Sequence, residues 1–450
     1  MKLAPIRSAA LVEGNRLDAR YFAAPAVRIK VVLRSSDEVE LRTVGNYAEV
    51  TAPSRFKRAY AAPGEEYISY LRPYDVFEFL PPEADRLSVK LTENLDDYKI
   101  RAGDILQTCS GRNLGPLTVA DEYLARFALS HDMIRVTIND ETDRYYTLAV
   151  LQSPTGQALL RGDLGGSVID HITTDQVSGV QIPFVDSIRE EVAQLMSEAV
   201  VMREAARIAL RTVVENIDEK HPAEATKPFR QGWTVKASDL GTRIDAAFHA
   251  RHVADLRENL LSVGGVRLGD VAEIRKPGGR PKLYYVGPEE GTPFLSGRQI
   301  LQLDVVGAKN IAARSIDKDS GYGLGKGWIT FQADGRAEES LGYPSVVLEE
   351  RAEWFASGHV GRAIPRHPGD TGWIWASMAS AIVRQQIAAL ACGSVVDALY
   401  EEDLETVVIP PREVIDAEAA QEAWNDLSKS AKKSAEAIDL VESTLQGLGV

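Results

Sequence analysis

The chain has 450 residues, 44% of them apolar, and a formal charge of −14, enough for two or three domains with cores of their own. It holds no apolar run long enough to span a membrane, and its two cysteines, Cys109 and Cys392, are too few for a disulfide framework or a cysteine-rich zinc cluster. The acidic balance counts against a generally basic nucleic-acid binder but leaves room for a local basic patch.

In chain order, MKLAPIRSAALVEG has no apolar core of the kind a secretory signal needs, so a cytoplasmic location is expected. Short β-type runs follow: VELRTV, VGNYAEV, DILQTC and MIRVTI, separated by turn signals such as PGEE and SGRN. RYYTLAVLQSPTGQALLRG predicts one or two embedded helices. The segment Gly166–Pro183, GSVIDHITTDQVSGVQIP, then leads into a long polar–apolar stretch.

From there the chain repeats itself. Gly393–Pro410, GSVVDALYEEDLETVVIP, matches Gly166–Pro183 at seven of eighteen positions, 227 residues later. GNRLDARYF (Gly14–Phe22) returns as GTRIDAAFH, VGNYAEV as LGDVAEI, AGDILQTCSGR as KGWITFQADGR, and SHDMIRV as SGHVGRA, at offsets of 224 or 227. Arg135 falls over Arg362. A repeat of this length is a whole domain plus an appendage, not a solenoid unit. In the second copy SVVLEE and WIWASM read as strands, and ASAIVRQQIAALACG as the returning helix. The centres of the two copies match poorly. The expected fold is α+β: two tandem, pseudo-symmetric domains, each with an irregular β core and embedded helices, and each followed by a long helix.

Both appendages carry heptad seams. Ile188, Val192, Leu195, Ala199, Met202, Ala206, Ala209 and Val213 alternate at spacings of four and three. Ala420, Trp424, Leu427, Ala431, Ser434, Ile438, Val441 and Leu445 do the same. Either each stripe packs on its own domain, or the two pair with each other. Matched length and place in a tandem repeat favour an antiparallel coiled coil with one domain at each end. The expected boundaries are 1–183, first domain; 184–218, first helix; 219–232, a linker rich in proline and charge; 233–410, second domain; and 411–450, second helix.

RLDARYF, VTAPSRFKRAY, GDILQTCSGR, LSHDMIRV, SPTGQALLRG and GSVIDHITTDQVSGVQIP, in this order and duplicated, resemble the specificity (S) subunit of type I restriction–modification systems. The resemblance covers nearly the whole chain. It implies two target recognition domains held apart by an antiparallel helix pair, each reading one half of a bipartite, asymmetric site on double-stranded DNA. It implies no catalysis in this chain. Partners would be methyltransferase subunits, two of them, which bind S-adenosylmethionine themselves, and restriction–translocase subunits in a full complex. No cofactor, metal or membrane is expected. An S-like component of another methylation-linked phage-defence system is the alternative, followed by a protein scaffold that does not bind DNA and an enzyme with a duplicated domain. A helix of about 30 residues is roughly 45 Å long, which sets two readers about one turn of duplex apart.

Candidate DNA contacts follow from charge. Arg55, Lys57, Arg58 and Tyr60 form the densest basic cluster of the first copy. Arg275, Lys276, Arg280, Lys282 and Tyr284 occupy the same place in the second, with Arg58 over Lys282 and Tyr60 over Tyr284. Lysine and arginine neutralise phosphates, and arginine also grips guanine; a solvated basic loop is the alternative reading. The turns bearing Ser110 with Arg112, and Asp334 with Arg336, are phosphate-contact candidates or plain hairpin turns, and Asp334 departs from the serine usual in the family. Arg72 and Arg298 are further candidates. Tyr67, Tyr70 and Tyr74 read as core or rim, and His249 and His252 as solvated residues of an amphipathic helix. GYGLGKGW fails as a phosphate loop, because Ser320 stands where glycine is required and Gly327 where serine or threonine is. No NPPY-like or DPPY-like tetrapeptide of amino-methyltransferases occurs.

Overall fold

The computed structural model describes residues 25–83, 85–111, 113–162, 171–222, 233–240, 243–316, 320–336, 340–393 and 396–450. The repeat segment Gly14–Phe22, Arg112 and most of the linker 219–232 lie outside the described residues. The chain forms two compact units, Met1–Glu204 with Lys429–Val450, and Ala205–Ser428.

Unit 1 opens with helix α1 (Pro25–Arg34) and strands β1 (Glu40–Thr43), β2 (Glu49–Thr51), β3 (Tyr67–Leu71), β4 (Arg86–Ser88), β5 (Ile105–Thr108), β6 (Leu117–Val119), β7 (Ala128–Leu129) and β8 (Met133–Thr137). Helices α2 (Glu141–Gln152), α3 (Pro154–Arg161) and α4 (Thr174–Ser178) follow, then β9 (Gln181–Phe184) and the long helix α5 (Asp186–Lys220). The main sheet has the order β2-β8-β5-β6, the second β4-β3-β7 with β3 and β7 parallel, and β1 pairs with β9.

Unit 2 contains α6 (Arg251–Ser262), β10 (Val266–Arg267), β11 (Ala272–Arg275), β12 (Tyr285–Val286), β13 (Thr292–Leu295), β14 (Lys309–Ile311), β15 (Ile329–Gln332), β16 (Asp334–Gly335), β17 (Pro344–Val346), β18 (Phe355–Ala356) and β19 (Val360–Pro365). It continues with α7 (Thr371–Ala379), α8 (Ala381–Leu390), β20 (Asp397–Ala398), α9 (Glu401–Glu405), β21 (Val408–Ile409) and α10 (Ala417–Gly447). Its main sheet, β11-β19-β15-β17, matches that of unit 1 strand for strand. Its second sheet, β12-β14-β13-β18, again holds one parallel pair, β13 with β18. β10 pairs with β21 as β1 does with β9.

The scaffold recurs down to single hydrogen bonds. Tyr146 Oη donates to the Pro183 carbonyl at 2.9 Å, and Trp373 Nε1 donates to the Pro410 carbonyl at 2.9 Å. Each bond ties a buried helix to the strand that feeds a long helix. Ser153 and Ser380 break the helix pair in each unit, both with extended backbone at ψ near 150°. Beside Ser153 only glycine fits position 156, where a Cβ would lie 1.8 Å from the Val150 carbonyl oxygen.

Two expectations need correction. WIWASM is not a strand but most of α7, whose nine residues are all buried; a helix apolar on every side shows no period to read. VGNYAEV is a strand only at its end, because Val44–Asn46 form a 3₁₀ turn ahead of β2.

The long helices are buried along a face one position off the predicted one. Val192, Ala199, Ala206 and Val213 are interior, but Met196, Arg203, Leu210 and Ile217 complete the stripe. Ile188, Leu195, Met202 and Ala209 are half-buried at its flank. On α10, Ala420, Trp424, Leu427, Ser434, Val441 and Leu445 are interior, while Ser430 and Ala437 take the places expected of Ala431 and Ile438, which are half-buried. In unit 1 Ser430 Oγ donates to the Ala199 carbonyl at 2.7 Å and Lys433 meets Glu198 at 2.6 Å. Ala437, Val441 and Leu445 join Val192, Met196 and Val200 in the core of unit 1.

Each unit also caps one short helix with a carboxylate from the long helix of the other copy. Thr155, at the start of α3, donates its backbone N–H and hydroxyl to Glu442 at 3.0 and 3.1 Å. In unit 2 the Ala381 N–H at the start of α8 donates to Asp218 at 2.7 Å. Both satisfy donors that a helix start leaves open.

Candidate nucleic-acid interface

In unit 1 the chain leaves β2, crosses residues 52–59 without regular structure and joins the second sheet at its edge. Tyr60 bridges Leu87, the Ala61 N–H donates to the Arg86 carbonyl, and the Ser88 N–H to the Ala59 carbonyl. Phe56 pins this loop inward, its ring 3.9 Å from Tyr98 and 6.0 Å from the buried Tyr70. With Phe56 as anchor, Arg55, Lys57, Arg58 and Tyr60 are left exposed. Arg58 lies 5.1 Å from the Tyr70 ring centre. Burial works against its charge, but the Tyr70 and Tyr60 oxygens outweigh it and hold its pKa above the ordinary arginine value. Arg86 stands 4.4 Å over the exposed ring of Tyr67.

Unit 2 builds the same edge from different residues. The chain leaves β11, passes the exposed Gly278, Gly279 and Arg280, and returns as Tyr284 and β12 beside β14. Tyr322 Oη fastens the turn by donating to the Gly279 carbonyl at 3.0 Å. Lys282 and Arg314 flank the Tyr284 ring at 5.2 and 4.6 Å, and Lys309 lies 4.6 Å from Tyr285. Four of the five exposed tyrosines among the described residues, Tyr60, Tyr67, Tyr284 and Tyr285, sit on these two sheets; Tyr400 is the fifth.

The predicted cations separate into two sets. Arg72 is held by Asp85 at 2.8 Å, Arg275 by Glu273 at 2.5 Å and Lys276 by Asp334 at 2.8 Å. Lys276 is thereby committed within the fold, half-buried, with its N–H on Glu401. Arg55, Lys57, Arg280, Lys282 and Arg336 are exposed and have no carboxylate partner among the described residues. Arg298 is exposed. Tyr70 belongs to the core; His249 is half-buried, its Nε2 2.7 Å from the Arg243 carbonyl oxygen, not solvated as expected.

The turn candidates are built as structural elements. Ser110 Oγ donates to Asp132 at 3.1 Å, and the Ser110 backbone bridges His171. At the same place in unit 2 Asp334 meets His359 at 2.8 Å and pairs through β16 with β20. Asp132 and His359 occupy equivalent positions of the repeat, so the carboxylate has changed sides and the contact has survived. That accounts for the departure at Asp334. The aligned arginines are likewise internal: Arg135 donates to the Lys99 carbonyl at 3.2 Å, and Arg362 to those of Tyr322 and Ala356 at 2.8 and 3.1 Å. Burial pushes the Arg362 pKa down to about 10.

Arg86, Lys309, Arg314 and Tyr285 escaped sequence reasoning, and Tyr67, read there as core or rim, is exposed. They lie in the divergent centres, and only strand pairing brings each cation to its ring.

No family model matches the chain, and no curated protein matches it. Among solved structures, the S subunit of a type I restriction–modification system from M. genitalium aligns at 14% identity over 93% of this chain and 97% of that one, with a TM-score of 0.28. The HsdS subunit of Thermoanaerobacter tengcongensis aligns at 14% identity, covering 92% and 94%, with a TM-score of 0.27. The type IIG restriction endonuclease BpuSI aligns over 44% of this chain and 33% of its own, at 12% identity and a TM-score of 0.30. What the chain is similar to over nearly its whole length is the S subunit of type I restriction–modification systems.

Proposed function

We propose that the chain is a sequence-specific DNA-recognition subunit without chemistry of its own, reading a bipartite, asymmetric site for partner methyltransferase subunits. One observation carries this. In a chain of net charge −14, two units with the same main-sheet order each present, at the edge of the second sheet, tyrosines flanked by cations that no carboxylate among the described residues neutralises. Such an edge offers phosphate neutralisation and base contact together. The residues differ between the units while the scaffold is kept, which suits two unlike half-sites.

The long helices act as a spacer in this reading. The contacts Glu198–Lys433 and Ala199–Ser430 in unit 1 have the rising and falling order of an antiparallel pair. Methyltransferase subunits, with their own S-adenosylmethionine, and restriction subunits complete the assembly in the cytoplasm.

Mapping methylated motifs in a host genome with and without this chain tests the proposal. A two-part motif that disappears with the chain supports it. Methylation that stays the same refutes it.

A further inference from the structure

We propose that Arg86 and Arg314 are the base-reading arginines of the two units, each specifying a guanine in its own half of the duplex site. This rests on the DNA-recognition reading and goes beyond it by naming the reading residue and the base. Arg86 is exposed and lies 4.4 Å over Tyr67; Arg314 is exposed and lies 4.6 Å over Tyr284. Both tyrosines are exposed as well, at 41% and 37%. Each unit has one such stack among the described residues. Arginines set over rings elsewhere are held by a carboxylate, as Arg126 is by Glu83, or sit on an interior ring, as Arg58 does on Tyr70, or are half-buried or interior themselves, as Arg384 and Arg351 are.

Both stacks belong to the second sheets but lie at opposite ends of the matching strands: Arg86 opens β4, and Arg314 follows the end of β14. A ring beneath a guanidinium restrains its plane, and at Arg86, whose Nε donates to the Glu83 carbonyl at 3.3 Å, the terminal N–H groups remain for a ligand. Those groups are the fork that grips guanine O6 and N7 in the major groove. Because the orientation is set before binding, little side-chain freedom is lost on contact. Lysine at the same place keeps the charge and loses the fork.

The test is selection of bound duplexes from a random pool by the full chain, wild type and variants. The wild type is expected to enrich a two-part motif. Arg314→Lys should reduce preference for one guanine, in one half only, by about tenfold or more, and Arg86→Lys should do so in the other half. Lys57→Ala should weaken binding to all sequences and leave the motif unchanged. Thermal melting of each variant shows that the fold is intact, and Tyr284→Phe, which keeps the stack, should retain the motif. If the wild type enriches no motif, or binds single-stranded RNA equally well, the DNA-recognition reading itself fails. If it enriches one and both arginine variants leave every guanine preference in place, this inference alone is overturned.

Discussion

At the scale of single residues, what separates the cations is what already holds them. Lys276 and Arg72 spend their charge on Asp334 and Asp85, whereas Arg55 and Lys57 are exposed with no carboxylate partner among the described residues. Reversing Arg55, Lys57 and Arg58 to glutamate should therefore abolish DNA retention by the assembled complex, read as loss of the retarded band in a gel shift. Asp334→Ala acts differently. It strands a half-buried ammonium and should cost about 1–3 kcal/mol of stability, seen as a lower urea midpoint, with the DNA motif unchanged. The sequence made the basic clusters visible but not their division, because a carboxylate 58 positions from Lys276 arrives only through strand pairing. The stacks of Arg86 and Arg314 were hidden for the same reason.

At the scale of elements, the repeat was legible wherever a residue serves the scaffold. The segments ending in Pro183 and Pro410 recur because the same strand must enter the same long helix, with its proline carbonyl taken by Tyr146 or Trp373. The seams were read one position out. Apolarity alone passes over Arg203 and Arg207, yet both are buried on α5, at 6% and 1% exposure. The difference is measurable. Leu210→Ala should cost about 2–5 kcal/mol, while Leu195→Ala, at the half-buried flank, should cost about 1 kcal/mol; denaturant titration of both variants distinguishes the two faces. Asp218→Ala removes the cap on α8 and should cost about 1 kcal/mol, less for Asp218→Asn, which keeps an acceptor.

At the scale of the whole molecule, the proposed DNA binding should weaken with salt in proportion to the number of phosphates the exposed cations neutralise. Each phosphate contact removed should lower the slope of log K against log salt by about 0.9, so Lys57→Ala should reduce it by about one contact in a titration from low to moderate salt. Assembly order follows from another feature. The core of unit 1 is closed by Ala437, Val441 and Leu445, which a ribosome delivers only after the whole of unit 2. Until they emerge, Val192, Met196 and Val200 lack their cover, and the amide of Thr155 has no Glu442 to meet. The half that is made first is thus the half finished last. Nascent chains stalled anywhere short of that point should expose a greasy strip to chaperones and proteases, and lengthen its exposure whenever translation slows.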